Sequence, residues 1–238
     1  MKKKEEIRVS EMFYSIQGEG ITMGVPSVFI RLQACNLLCK SKDWVCDTIP
    51  VWTKGEKMLV RDLVKDVFQR FHKYLTKGAH LVFTGGEPML QQAAIQEFVD
   101  VYYRKYEYVP FLEIETNGTI EFTNELLKEF DLINCSPKLC NSGMKEERRI
   151  KADVLRQINN YRSSIFKFVV CEEEDLAEIQ DLIDLLDLKE EKVVLMPAGD
   201  CREQLNDLAP MVAEMCKENN YYFGSRLQVD IWNKVTGV

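Results

Sequence analysis

Apolar positions along the chain follow two periods. At Leu59, Leu63, Val67 and Phe71 they recur every four residues, with Val60, Val64 and Phe68 alongside, and this spacing predicts a helix with a broad buried face. Elsewhere the apolar runs are short, alternating or rich in β-formers. They predict strands over residues 7–16, 27–32, 80–83, 111–115, 132–135, 165–170, 192–196 and 227–231. Between these lie longer patterns that predict helices over 89–106, 123–130, 152–160, 173–186 and 202–219. Residues 140–151, with Lys-Glu-Glu-Arg-Arg at their centre, break the pattern and read as a solvated loop.

Strand and helix alternate at βαβ spacing, so right-handed crossovers give a parallel sheet whose strand-to-helix loops share one edge. About six such strands are too few to close an eight-stranded barrel, and the expected fold class is α/β, a partial (incomplete) parallel β/α barrel. Five motifs follow predicted strands: the segment from Cys35 to Cys46, Thr84 to Pro88, Thr116 to Thr119, Ser136 to Lys138 and Met196 to Gly199. A curled sheet brings them to one rim, where α/β folds bind ligands.

Composition narrows the classes. The 238 residues fit a single α/β domain, 1–238, with 46% hydrophobic residues to fill a core. A net charge of -7, with the run Lys2 to Lys4 read as a solvated terminus, argues against nucleic acid as a partner. Neither a signal peptide nor a membrane helix is legible, so a cytoplasmic protein with no membrane partner is expected. In a reducing compartment the eight cysteines are expected as thiols, bound to metal or buried.

The candidate chemistry starts at Cys35, Cys39 and Cys46, three cysteines within twelve residues. A structural zinc or a simple ferredoxin-type cluster takes four protein ligands, so three leave an open position where an outside molecule can bind. A zinc knuckle is the alternative. Cys135, Cys140, Cys171, Cys201 and Cys216 are scattered and are expected to be buried. Gln17-Gly18-Glu19-Gly20 reads as a tight turn or as a close backbone approach to a ligand. Arg31 interrupts an apolar strand, and a buried guanidinium needs an anionic partner: an internal carboxylate such as Glu19, or a substrate carboxylate. Gly85-Gly86-Glu87-Pro88 joins a strand to a helix, where backbone amides can close around a small polar ligand; the plainer reading is a connecting turn. His72 and His80 read as surface or capping residues.

Taken together, these motifs resemble the radical S-adenosylmethionine (SAM) superfamily. Within it, FYSIQGEG, FIRLQACNLLC, the triplet Cys46-Asp47-Thr48, TGGEP, IETNGT, CSPK and the final RLQVDIWNKVTGV are similar to the 7-carboxy-7-deazaguanine synthase family, across nearly the whole chain. The superfamily's usual C-x3-C-x2-C spacing is C-x3-C-x6-C here, so four extra residues within 40–45 must bulge out as a loop. The resemblance implies that Cys35, Cys39 and Cys46 ligate a [4Fe-4S] cluster and that cluster and SAM generate the radical, with no separate catalytic side chain. For SAM it implies Val45, Cys46, Asp47, Gly85, Gly86, Glu87, Ser136, Pro137, Lys138, Met196, Pro197, Ala198 and Gly199. The family's glutamine at the first of the last four is Met196 here, so contact through the main chain is expected. For a 6-carboxy-5,6,7,8-tetrahydropterin substrate the resemblance implies Ile16, Gln17, Gly18, Glu19, Arg31, Thr84 and the C-terminal Val238, with Glu19 reading the pterin edge. It also implies Mg²⁺ on Thr48 with Asp47 close by, and an electron donor such as flavodoxin or ferredoxin. A homodimer stands as an expectation. Within other classes, a glycyl-radical activase shares the cluster, and a zinc-binding module shares only the cysteines.

Overall fold

The computed structural model describes residues 5–41 and 45–235. The run Lys2 to Lys4, the middle of the widened cysteine spacing and Val238 lie outside the described residues. The strands are β1 (Glu6–Ile16), β2 (Pro26–Leu32), β3 (Glu56–Leu59), β4 (His80–Gly85), β5 (Leu112–Thr116), β6 (Leu132–Cys135), β7 (Ser164–Val170), β8 (Val193–Pro197) and β9 (Tyr222–Phe223). The helices are α1 (Ile49–Trp52), α2 (Val60–Leu75), α3 (Gln92–Tyr106), α4 (Asn124–Leu127), α5 (Glu146–Arg149), α6 (Ala152–Asn159), α7 (Asp175–Leu186), α8 (Arg202–Asn219) and α9 (Leu227–Trp232). They form one nine-stranded sheet in the order β3-β1-β2-β4-β5-β6-β7-β8-β9, which does not close. From β2 to β9 every pairing is parallel, while β1 pairs antiparallel with both β2 and β3. The partial α/β barrel is therefore present, with an antiparallel edge that the alternation of elements did not announce.

The period of two along each strand divides the sheet. Val28, Ile30 and Leu32 of β2, Leu81 and Phe83 of β4, Leu112 and Ile114 of β5 and Phe166 and Phe168 of β7 join the apolar core against the helices. That core is contiguous, and it takes Leu63, Val64 and Val67 from α2 and Ile95, Phe98 and Tyr102 from α3. The intervening residues, among them Arg31, Thr84, Glu115, Asn134 and Lys167, point the other way and line a cavity. Among the described residues no helix is long and apolar enough to cross a membrane.

Three sequence expectations change. Residues 227–231 form helix α9, not a strand. The alternating Leu227, Val229 and Ile231 look like a strand, but only Val229 is buried and Ile231 is 44% exposed. The first turn of α9 is anchored where Leu227 N–H donates to the Gly18 carbonyl (2.9 Å). The charged stretch 140–151 is not simply solvated: it contains α5, and Arg149 is buried at 4% exposure, paired with Glu178 and donating to the Lys138 carbonyl (2.9 Å). Of the scattered cysteines Cys135 and Cys216 are buried, Cys171 and Cys201 only partly so, and Cys140 is exposed because it starts a short 3₁₀ turn at the surface.

Phe98 tests the helix-facing core. It is 1% exposed, meets Phe83 edge-on at 5.4 Å and stacks on Tyr102 at 5.7 Å. Phe98→Ala should lower stability by about 3–5 kcal/mol, read as a reduced urea midpoint at unchanged slope.

Candidate functional site

The cavity holds about 1110 Å³ on the concave side of the sheet. The cysteine loop enters it directly from β2. Ala34 takes a left-handed conformation (φ 76°), which turns the chain sharply before Cys35. That turn is pinned on both sides, with Ala34 N–H donating to Trp52 O (3.1 Å) and Glu87 N–H donating to Ala34 O (2.9 Å). The long gap to the third cysteine closes on itself: Lys40 and Val45 pair as an antiparallel bridge, and Cys46 N–H donates to Cys39 O (3.1 Å). Cys35, Cys39 and Cys46 line the same cavity. Burial pushes the Cys35 thiol up to about 11 and also raises that of Cys39, so a bound cation is what would hold them as thiolates. Among the described residues no three His, Cys, Asp or Glu side chains are gathered for a single metal ion.

The two polar motifs next to this loop are its scaffold. A Cβ on Gly85 (φ 155°) would come within 2.4 Å of Leu32 O, and one on Gly86 within 2.3 Å of Ala34 O, so only glycine lets the two strand ends approach this closely. Glu87 is fully buried. Its carboxylate accepts from Met89 N–H (3.0 Å), Thr116 Oγ1 (2.8 Å) and Asn117 N–H (2.7 Å). Burial pushes its pKa up against these donors. Glu87 is absent from the cavity lining, and of the motif it is Gly85 and Gly86 that face the space. Asn117 then reaches back to the cysteine loop, donating through Nδ2 to Asn36 Oδ1 (3.0 Å), while Asn36 Nδ2 donates to Thr119 Oγ1 (2.7 Å).

Around the same cavity, charges meet in pairs. Arg31 Nε donates to Glu11 Oε1 (2.8 Å), its register neighbour on β1, so the internal partner is Glu11 and not Glu19. Glu19 is itself enclosed: its carboxylate pairs with Lys167, accepts from Arg226 Nε (3.0 Å) and accepts from Gln228 Nε2 (2.9 Å). Burial would raise its pKa, but Lys167 and Arg226 outweigh that and hold it well below the carboxylate range. Arg226 also pairs with Asp47 and donates through Nη1 to Gly199 O (2.6 Å). One guanidinium thus ties together the N-terminal turn, the cysteine loop and the end of β8.

Most sequence candidates meet at this cavity. Ile16, Gln17, Gly18, Glu19, Arg31 and Thr84 line it, as do Val45, Cys46, Asp47 and Thr48. Ser136, Lys138 and the segment from Met196 to Gly199 complete the rim, with Lys138 Nζ donating to Ser136 Oγ (3.1 Å). Pro137 is buried and, like Glu87, does not line the space. Glu115, Asn117, Asn134, Lys167, Cys171, Arg226 and Gln228 line it too, none of them named beforehand as a binding residue. Lys167 carried a legible signal, a charge inside the apolar strand SIFKFVV, as Arg31 did in β2. Arg226 opens the final RLQVDIWNKVTGV, but its role was not legible because its place depends on the chain returning to Glu19.

Three comparisons bear on the site. The family described as "4Fe-4S single cluster domain" matches residues 16–164. The 7-carboxy-7-deazaguanine synthase of Halobacterium salinarum is 32% identical over 94% of this chain and 90% of its own length. That of Pyrobaculum aerophilum is 30% identical over the full length of both. Among solved structures, QueE from Escherichia coli superposes with a TM-score of 0.69 at 24% identity, covering 93% of this chain and 94% of its own. That likeness establishes the fold.

The Glu19–Arg226 pair can be tested through pH. A carboxylate held below its ordinary 4.5 contributes stability that is complete above that value and is lost as pH falls toward the depressed one. Arg226→Gln should cost about 3–5 kcal/mol near neutral pH, since it removes one partner of a largely buried pair. The gap between variant and parent should narrow as pH drops below the carboxylate range. Urea titrations across that range check it, and a gap independent of pH would remove the electrostatic account.

Proposed function

The chain belongs to the 7-carboxy-7-deazaguanine synthase family, and on that premise we propose that it converts 6-carboxy-5,6,7,8-tetrahydropterin to 7-carboxy-7-deazaguanine, a ring contraction with loss of ammonia. The observation that carries this reading is one cavity lined both by the three cysteines and by Arg31, Gln17 and Thr84.

Cys35, Cys39 and Cys46 would hold three irons of a [4Fe-4S] cluster, and their number leaves one iron for SAM. The fit rests on the pinched loop that brings Cys46 beside Cys39, and on thiols whose burial favours ligation over free thiolate. Gly85 and Gly86 would meet the methionine end of SAM through their backbone. Ser136 and Lys138 would hold its ribose and carboxylate, and residues 196–199 its adenine through the main chain. When bound, the cluster and SAM supply the radical chemistry. The Thr48 hydroxyl, which donates to Asp47 Oδ1 (2.9 Å), keeps lone pairs for Mg²⁺, an ion that binds few protein oxygens and retains water.

Arg31 would anchor the substrate carboxylate. Glu11 engages only its Nε, so the two terminal amino groups can take a carboxylate in a bidentate pair. Gln17 and Thr84 would orient the ring system, and Val238 would meet it from the C-terminus. The Glu19 carboxylate, which also lines the cavity, is enclosed by Lys167, Arg226 and Gln228 and fixes the Gln17-Gly18 turn. A one-electron carrier such as flavodoxin or ferredoxin as donor, and pairing of two chains, belong to the same proposal.

The direct test is anaerobic reconstitution with iron and sulfide, then incubation with SAM, a reductant, Mg²⁺ and the carboxy-tetrahydropterin. A deazapurine product is expected; a colourless protein that takes up one zinc would overturn the proposal. Cys35→Ala, Cys39→Ala or Cys46→Ala should each abolish iron–sulfur absorbance and SAM cleavage, while the exposed Cys140→Ala should keep both. A normal cluster in Cys35→Ala would refute the ligand assignment.

Arg31→Ala should bind SAM as the parent does but lose about 2–5 kcal/mol of substrate binding, the cost of a desolvated charge pair. The measurement is substrate KM beside SAM affinity and thermal stability. An unchanged KM removes Arg31 as the carboxylate anchor, and a joint loss of stability and SAM affinity makes the Glu11 pair structural.

A further inference from the structure

Helix α9 is six residues long and only Val229 of it is buried, so apolar burial does little to hold it in place. An element with few buried contacts has low local stability, and its position depends on its polar bonds. Those bonds run in two directions. On one side Leu227 N–H donates to Gly18 O (2.9 Å) and Gln228 Nε2 donates to Glu19 Oε1 (2.9 Å), which ties the helix to the turn after β1. On the other side they reach residues 199–202, the junction between β8 and α8.

The junction is gripped from both ends of α9. At its start Arg226 donates through Nη1 to Gly199 O (2.6 Å). At its end the Arg202 guanidinium caps two successive carbonyls, with Nε donating to Asp230 O (2.7 Å) and Nη2 to Ile231 O (2.6 Å). The capping is returned. Cys201, the N-cap of α8, offers that helix no side-chain bond, and the first N–H of α8, on Arg202, donates instead to Asn233 Oδ1 (3.2 Å). Asn233 itself holds a positive φ of 56° with ψ -123°, a sparsely populated backbone state that persists where the surroundings over-determine it. Lys234 adds an ion pair with Asp200 (3.4 Å). Arg202, Lys234 and Asp200 are all exposed, so these bonds compete with water and are weak enough for a bound ligand to shift.

Gly199 ends the 196–199 segment, which lines the cavity and which the proposed function gives to the adenine of SAM, while the Gln17-Gly18 turn, given to the pterin, lines it too. Helix α9 joins these two segments, and directly after it Asn233, Lys234 and Val235 line the same cavity. We propose that Arg202 and Asn233 are positioning residues that couple the two ligands through α9. Main-chain contact of SAM with residues 196–199 fixes the junction, the reciprocal cap passes this to α9, and α9 sets the Gln17-Gly18 turn and the 233–235 wall for the pterin. The inference rests on the SAM and pterin reading and goes beyond it: the affinity for each ligand depends on the other through Arg202, a residue that does not line the cavity.

Binding is read on holoenzyme with the cluster loaded, Mg²⁺ fixed and no reductant, so that neither ligand is consumed. The carboxy-tetrahydropterin is titrated with and without SAM, and SAM with and without the pterin. In the parent each ligand should tighten the other by the same factor, about tenfold, since linkage makes the coupling reciprocal. In Arg202→Gln and in Asn233→Ala that factor should fall several-fold, with the affinity for SAM alone and the cluster absorbance close to the parent's. Arg202→Lys keeps the charge and one donor for a carbonyl, and should give an intermediate factor. Amide hydrogen exchange supplies a second reading: SAM should slow exchange at residues 227–233 in the parent, and less so in Arg202→Gln. A factor near one in the parent, or a factor in Arg202→Gln equal to the parent's, overturns the proposal. Weaker binding of each ligand alone at an unchanged factor makes the cap merely structural and overturns it as well. If Arg202→Gln fails to fold, Asn233→Ala decides in its place, and full coupling there counts against the proposal. Failure of the underlying reading looks different: the parent itself would bind neither ligand and give no deazapurine with reductant present.

Discussion

A sheet packed by helices on one side has only its other side for chemistry, and this constraint governs the molecule. Val28, Ile30 and Leu32 commit one face of β2 to the core, which leaves Phe29 and Arg31 to the cavity. The same parity places Thr84, Glu115, Asn134 and Lys167 on the concave face of four successive strands. A register slip of one residue would send these groups into the apolar core and turn the core residues outward. The site is thus fixed by the same packing that holds the fold, and loops add to a floor that the strands have already set.

Charge on that floor is expensive and is handled by pairing. Lys167 is only 7% exposed, and burial alone would lower its pKa, but Glu19 outweighs this and keeps it protonated. Arg226 adds a second cation to Glu19 and turns to Asp47 and Gly199 O, so three segments far apart in sequence share one guanidinium. Such a network is weak evidence for net stability, because desolvation offsets the attraction. Its consequence is positional: the turn at Gln17, the loop at Asp47 and the end of β8 cannot shift independently while Arg226 holds all three. Glu113 accepts from Gln17, Thr22 and Asn134 beside His80, and Glu115, within the field of Lys167, accepts from Gln17 and Thr84; of the two, Glu115 lines the cavity.

Much of the fold was legible because its elements are strongly periodic. The four-residue recurrence from Leu59 to Phe71 and the short apolar runs from residue 80 onward correspond to α2 and β4 through β8. The convergence of five strand-end motifs on one rim followed from topology, and the cavity lining bears it out. What failed lacked a local cause. Leu227, Val229 and Ile231 alternate, yet no neighbouring strand edge receives them, and a backbone bond to Gly18 decides for helix α9. Arg149 sits in the most charged stretch of the chain and is buried because Glu178, on α7, comes to meet it. Arg31 was rightly seen to need a carboxylate, but Glu11 supplies it through the antiparallel edge, a pairing that the βαβ pattern does not show.

The widened cysteine spacing illustrates how a departure in sequence can leave geometry intact. Closing a loop a few residues longer costs little, since the entropy of closure grows only with the logarithm of length. The structure removes much of the effect, because the Lys40–Val45 bridge and the bond from Cys46 N–H to Cys39 O restore a short path between the two sulfurs. Lys40 N–H also donates to Ser142 O (3.0 Å), which fastens the stem of the excursion to the stretch that carries α5. Arg148 adds a bond to Asn36 O (3.0 Å) from the same stretch. The segment that sequence alone assigns to solvent is therefore a buttress of the cysteine loop, with Arg148 bonded to a carbonyl of that loop and Arg149 held by the Lys138 carbonyl and Glu178.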